Sequence, residues 1–84
     1  MKSTYIENWF IENEEAFPTL KRFRKYFKHL EGRITEFSII TNEEIERFDF
    51  TVENSLEYVK PIYISITYNK EWNEIESYSQ KQTK

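Results

Sequence analysis

The spacing of apolar residues changes once along this chain of 84 residues, and that change most limits how it can fold. Leu20, Phe23, Phe27 and Leu30 recur at the spacing of one face of an α-helix. After Gly32, the only glycine, apolar and polar residues alternate, as in a half-buried β-strand. The pattern predicts an α+β fold with helices first and an antiparallel sheet after them.

Two N-terminal helices are predicted. Thr4 followed by Glu7 fits a capping box, so the first helix is expected to begin there and to end at Pro18, which cannot continue a helix. Thr19 is placed to cap a second helix over residues 20–31. Gly32 then suits the position after a helix end, where a positive φ is common.

A three-stranded antiparallel meander is predicted to follow. Its strands are residues 34–41, residues 47–53 and residues 56–68, with turns at 42–44 and at Asn54-Ser55. Pro61 has no N–H to donate, so the third strand is expected to be an edge strand or to contain a bulge. The best-phased apolar residues form the predicted core, namely Phe23, Phe27, Leu30, Phe48, Phe50, Ile64 and Ile66.

Residues 70–79 allow two interpretations. Asn69 could cap a helix with Trp72, Ile75 and Ser79 on one face, or Trp72, Glu74, Glu76 and Tyr78 could alternate in a fourth strand. We favour the helix, followed by a frayed tail over residues 80–84. The whole chain, residues 1–84, is then a single domain.

The residue types argue against an enzyme. The chain has no cysteine, one histidine and one glycine, so thiol chemistry, zinc–thiolate sites and a phosphate-binding glycine loop are excluded. His29 lies among lysines and arginines with no carboxylate near it in sequence, and we interpret it as a surface residue. The acidic residues around Glu43 lack the spacing of an EF-hand. We therefore expect no catalysis, no cofactor and no metal.

Composition also gives an expectation about location and source. No apolar run reaches the 18 residues of a membrane-spanning helix, so we expect a cytoplasmic protein without membrane attachment. Ile, Lys, Asn, Phe and Tyr, which have A/T-rich codons, provide 37 residues, whereas Gly, Ala, Arg and Pro provide eight. This bias indicates an A/T-rich genome, such as that of a low-GC bacterium, a phage or a mobile element.

Charge is distributed unevenly along the chain. The net charge is −3, but residues 18–33 contain six Lys or Arg against one Glu, and residues 34–79 contain ten acids against three bases. The sequence thus predicts one basic and one acidic surface. Each surface suggests a different class of partner.

The acidic residues carry the leading hypothesis. They crowd the predicted hairpin and comprise Glu43, Glu44, Glu46, Asp49, Glu53 and Glu57. Such a set could present a phosphate-like array to a basic groove, as nuclease inhibitors do, or could be a solvated surface that protects the sheet. In general style the chain resembles phage anti-defence and toxin-immunity proteins. We interpret it as a non-enzymatic inhibitor or immunity module that binds a protein with a basic surface, such as a nuclease.

The basic residues carry the alternative hypothesis. Lys21, Arg22, Arg24, Lys25 and Lys28 occupy the polar side of the predicted second helix. They could contact the phosphates of a nucleic acid, which would make the protein a nucleic-acid-binding accessory protein. An ordinary helix with a solvated basic face explains the same pattern. Oligomeric state is left open by the sequence.

Overall fold

A computed structural model describes residues 4–28, 30–54, 56 and 59–82. Five strands form one antiparallel sheet in the order of the chain: β1 (Thr4–Tyr5), β2 (Arg33–Thr41), β3 (Ile45–Glu53), β4 (Ile62–Asn69) and β5 (Glu74–Gln82). The helix α1 (Ile6–Asn13) and two 3-10 turns, Pro18–Arg22 and Arg24–Phe27, lie between β1 and β2. The fold is therefore mainly a sheet meander, and the prediction of two helices with three strands is wrong.

The helix α1 and the two 3-10 turns cover one face of the sheet, and we call them the covering layer. The prediction of two helices fails in this layer. Tyr5, not Thr4, precedes α1, and its side chain makes no capping bond. The helix ends at Asn13, one turn before Pro18, and the Asn13 amide donates a hydrogen bond to the carbonyl of Trp9 (2.8 Å). Its buried face consists of Ile6, Trp9 and Phe10.

The predicted second helix is replaced by the two 3-10 turns. The N–H groups of Leu20, Phe23 and Tyr26 each donate to a carbonyl three residues earlier, not four. A 3-10 helix rises about 2.0 Å per residue, whereas an α-helix rises about 1.5 Å. Ten residues in 3-10 turns therefore extend roughly 5 Å further than ten residues in an α-helix. Leu20, Phe23 and Phe27 are all buried on this longer path. Packing on the sheet has overridden the helical period here.

The sheet also differs from the prediction at its C-terminal side. The third predicted strand, β4, begins after Pro61 and lies between β3 and β5, so it is not an edge strand. The bulge that was the alternative is not at Pro61: the one irregularity in the pairing of β4 lies between Thr67 and Tyr68, where β5 contains the extra residue Glu76. Residues 74–82 form β5, so the favoured C-terminal helix is wrong. The alternative, a further strand after the predicted meander, is correct. Residues 80–82 belong to β5 and not to a frayed tail.

The core lies between the covering layer and one face of the sheet. Of the predicted core residues, all but Leu30 are buried, and Leu30 is half-buried against them. The buried set is Ile6, Trp9, Phe10, Leu20, Phe23, Phe27, Ile34, Phe48, Phe50, Val52, Ile64, Ile66 and Tyr68. Seven of these 13 residues are aromatic, and edge-to-face ring pairs such as Phe23 with Phe48 (4.8 Å between centroids) fill the space. The opposite face of the sheet is uncovered and mostly polar, and Ile40 and Tyr63 are exposed apolar side chains on it.

Candidate functional site

Both long hairpins turn at the same end of the sheet. The β2–β3 turn is residues 42–44, and the β4–β5 turn is residues 70–73. The backbone N–H of Lys70 donates to the carbonyl of Glu44 (2.8 Å), and the Lys70 ammonium donates to the carbonyl of Asn42 (2.7 Å). These two bonds join the turns into one surface.

Side-chain hydrogen bonds fix the β2–β3 turn. The Oδ1 atom of Asn42 accepts the N–H groups of Glu44 (2.8 Å) and Ile45 (2.9 Å), and the Asn42 N–H donates to the carbonyl of Ile45 (3.0 Å). An Asn side chain that binds backbone two or three residues ahead mimics a backbone turn. The segment that carries Glu43 and Glu44 is therefore held in one shape before any partner binds.

The β4–β5 turn is fixed in the same way. Asn69 Oδ1 accepts the N–H of Trp72 (2.9 Å). Asn69 was predicted to cap a helix, but this hydrogen bond closes a hairpin turn instead. Asn73 has φ 56°, a left-handed conformation that Asn adopts more readily than most residues, and its Oδ1 accepts the hydroxyl of Tyr68. Trp72 consequently sits at the top of an ordered turn.

This end of the sheet presents one exposed tryptophan among exposed carboxylates. Trp72 is 70% exposed, the highest exposure among the large apolar side chains of the described chain. We call it, with Glu43, Glu44, Glu71 and Glu74, the acidic end, and all four glutamates are exposed. Lys70 is the one described cation within the two turns, and its ammonium is already held by Asn42.

The structure does not gather the six predicted acidic residues into one array. Glu43 and Glu44 lie at the acidic end, but Glu46 points to the covered face and accepts the Thr19 hydroxyl (2.9 Å). Asp49 lies on the open face beside Arg47 (3.4 Å), and Glu53 lies at the other end of β3, where it accepts the Thr35 hydroxyl (2.9 Å). Glu57 lies outside the described residues, as does His29.

Three members of the acidic end were missed in the sequence. Glu71, Trp72 and Glu74 fell inside the favoured C-terminal helix, which would have separated them from Glu43 and Glu44. The available signal was the pair Asn69 and Asn73 around three polar or aromatic residues, since Asn is frequent in turns. If Asn69 and Asn73 are interpreted as residues of a hairpin turn, Glu71 and Glu74 are predicted to lie close to the β2–β3 turn.

The predicted basic residues form a separate surface on the covering layer. Lys21, Arg22, Arg24, Lys25 and Lys28 are all exposed on or next to the 3-10 turns. Arg24 differs from the others because its guanidinium makes an ion pair (2.9 Å) with the half-buried carboxylate of Glu14. The remaining four cations are the basic surface that a polyanion could reach.

Aromatic rings border this basic surface. The Lys25 ammonium lies 5.5 Å from the Tyr26 ring centroid, and the Arg22 guanidinium lies 5.7 Å from that of Tyr68. Tyr26 stacks on Tyr78 with centroids 4.9 Å apart, and burial, followed by the proximity of Tyr26, raises the pKa of Tyr78. Because Tyr68 leads into the β4–β5 turn, the basic surface begins beside the acidic end.

A second tyrosine–arginine pair lies near the opposite end of β2. Arg33 donates a hydrogen bond to the hydroxyl of Tyr5 (3.0 Å), and its guanidinium lies 4.5 Å from the Tyr5 ring centroid. The hydrogen bond, together with the positive charge of Arg33, lowers the pKa of Tyr5. The pair holds two exposed side chains against each other at this end of the sheet.

The open face of the sheet contains a groove of about 600 Å³ that is lined by both polar and apolar side chains. Asp49 and three serines form one cross-strand row in it, in which Asp49 pairs with Ser38 and Ser65, and Ser65 pairs with Ser79. No described group of three or more His, Asp or Glu residues is arranged to hold a metal ion. The acidic end, by contrast, presents an exposed indole and four exposed carboxylates on turns that hydrogen bonds hold in place.

Comparisons with known proteins add no relative. The chain matches no protein-family model, and comparisons with curated proteins and with solved structures also found no match. Among the described residues, no helix has the length and hydropathy needed to cross a membrane.

Proposed function

We propose that this protein is a non-enzymatic binding module that places its acidic end in a basic groove of a protein partner, in the manner of an inhibitor or immunity protein. The exposed Trp72 on an ordered turn, surrounded by carboxylates, is the observation that carries the proposal. Tryptophan is among the residues that contribute most binding energy at protein interfaces. A largely solvent-exposed indole gains that energy only when a partner covers it.

The carboxylates supply a second component of recognition. Glu43, Glu44, Glu71 and Glu74 give this end a negative field that attracts a basic surface and increases the association rate. Because the asparagine-closed turns already hold the backbone, little conformational freedom is lost on binding. A nuclease groove, which binds phosphates with Lys and Arg, is the partner class that we propose to test first.

The first test uses the protein as bait with a lysate of a low-GC bacterium. One variant neutralises the acidic end by Glu43→Gln, Glu44→Gln, Glu71→Gln and Glu74→Gln, and a second is Trp72→Ala. The matched control neutralises four exposed glutamates elsewhere, Glu7, Glu12, Glu15 and Glu31. We expect wild type and the control to capture the same basic protein, and both acidic-end variants to lose it.

The kinetics of the captured pair then test the electrostatic part. Neutralising the acidic end should slow association at low salt and change dissociation less, and the difference should shrink as salt rises. Trp72→Ala should instead speed dissociation, because a desolvated indole acts after encounter. Equal association rates for wild type and the four-glutamine variant at low salt would rule out steering by these carboxylates.

The alternative function is nucleic-acid binding by the basic surface. The observation in its favour is that Lys21, Arg22, Lys25 and Lys28 are exposed, and that Lys25 lies over the Tyr26 ring, which stacks on Tyr78. Fluorescence polarisation with labelled single-stranded DNA distinguishes the two functions. Binding that weakens steeply with salt and disappears when the four cations become glutamine would favour this alternative over the inhibitor.

A further inference from the structure

The strand β5 is a long free edge of the sheet. It pairs with β4 on one side, and no described strand lies on its other side. The opposite edge consists of β1, which pairs only with Arg33 and Ile34, and of residues 36–41 of β2, where Trp9 and Phe17 of the covering layer pack against Phe37. An edge strand exposes backbone N–H and C=O groups on which another strand can pair.

Most of β5 is regular enough to act as such a template. Residues 77–82 pair with residues 62–67 in unbroken register, and the one irregularity, the extra residue Glu76, precedes them. Natural edges are usually protected by proline, bulges or several charges. Residues 77–82 contain no proline and one charged residue, Lys81.

The charges of β5 favour one kind of partner strand. Glu74 and Glu76 lie at its beginning, and Lys81 lies near its end. In antiparallel pairing with a second β5, the acidic beginning of one strand meets the basic end of the other. Parallel pairing would instead set Glu against Glu and Lys against Lys, which is destabilising for directly opposed residues.

We propose that β5 pairs antiparallel with β5 of a second copy of this chain, so that two five-stranded sheets become one continuous sheet. With the two-fold axis at Ser79, Tyr78 faces Gln80, Ser77 faces Lys81 and Glu76 faces Gln82, so no like charges are opposed. The β4–β5 turns then point to opposite ends of the joined sheet. Each copy keeps its Trp72 accessible, and dimerisation is separate from the proposed binding of a basic protein.

The two-fold register makes Ser79 the most diagnostic position. Ser79→Lys places two lysines against each other at the axis, whereas an edge position in the monomer tolerates lysine well. Ser38→Lys is the matched control, because Ser38 is also an exposed serine on the open face but lies on β2. Sedimentation equilibrium of the full chain, from micromolar to millimolar concentration, should show a monomer–dimer equilibrium for wild type and Ser38→Lys. The Ser79→Lys variant should dimerise at least about tenfold more weakly.

A designed charge pair tests the direction of pairing. Ser77→Glu places a carboxylate directly opposite Lys81 of the second copy in the antiparallel register and should strengthen the dimer, whereas Ser77→Lys sets two lysines against each other there and should weaken it. Circular dichroism melts check that each variant is folded. A wild type that stays monomeric at millimolar concentration, a dimer that Ser79→Lys leaves unchanged, or assemblies larger than a dimer would each overturn the proposal.

Discussion

Replacing Phe50 by alanine tests the arrangement of the core most directly. Phe50 is 2% exposed at the centre of β3. Its ring centroid lies between 5.0 and 6.5 Å from five other aromatic rings, those of Trp9, Phe10, Phe27, Phe37 and Phe48. The substitution therefore removes contacts to the helix, to the second 3-10 turn and to the neighbouring strand together.

The expected loss is a large part of the stability of the protein. Removing a buried Phe side chain costs about 3–5 kcal/mol, because transfer energy is lost and a cavity remains. A domain of this length has a total free energy of unfolding of roughly 4–13 kcal/mol. The melting temperature should fall by more than about 12 °C, at several degrees per kcal/mol for a small domain.

Urea denaturation followed by tryptophan fluorescence measures the loss, because Trp9 packs against Phe50. Tyr63→Ala is the control, since Tyr63 lies on the next strand but on the open face and is 38% exposed. It should cost about 1 kcal/mol or less. A loss below about 1 kcal/mol for Phe50→Ala, or a loss no greater than that of the control, would refute the assignment of the two faces.

Three further predictions concern single positions. Gly32→Ala should cost about 2 kcal/mol or more in urea denaturation, because φ is 134° there and a Cβ would lie 2.4 Å from a carbonyl oxygen of β3. In spectrophotometric alkaline titration, Tyr5→Phe should remove a phenol whose pKa is lowered by Arg33, and Tyr78→Phe should remove one whose pKa is raised by burial. Since the raised pKa of Tyr78 favours the neutral phenol in the folded state, its contribution should be lost as pH rises above about 10. Arg24→Glu should destabilise the fold by about 1–3 kcal/mol, because it leaves a half-buried carboxylate unpaired, whereas Lys21→Glu should be nearly neutral in the same assay.

The sheet could be predicted from the sequence where one face is strictly buried. In β3, Phe48, Phe50 and Val52 alternate with polar residues, and a shift of one residue would expose all three. Only one orientation of β3 buries these three side chains together, so the sequence predicts both the strand and the face that it turns to the core. The same reasoning placed Ile64 and Ile66 in the core.

The covering layer and β5 could not be predicted in the same way. Leu20 and Phe23 have a spacing of three, which fits an α-helix and a 3-10 turn equally, and only the sheet beneath them decides between the two. In β5 the one residue that packs on the core is Ile75, which is half-buried, so alternation gives almost no signal there. A polar edge strand is specified mainly by the strand beside it, which local sequence does not contain.

The candidate site was hard to predict for the same reason, because it is formed by two hairpin turns that are distant in sequence. Glu43 and Glu71 are 28 residues apart, and the hydrogen bonds from Lys70 to the β2–β3 turn bring their segments together. The site is also separate from the core: the four glutamates and Trp72 are exposed, and every buried apolar residue lies outside the two turns. Variants at the acidic end should therefore retain the unfolding free energy of the wild type. Loss of partner binding by such a variant would then report on recognition itself and not on unfolding.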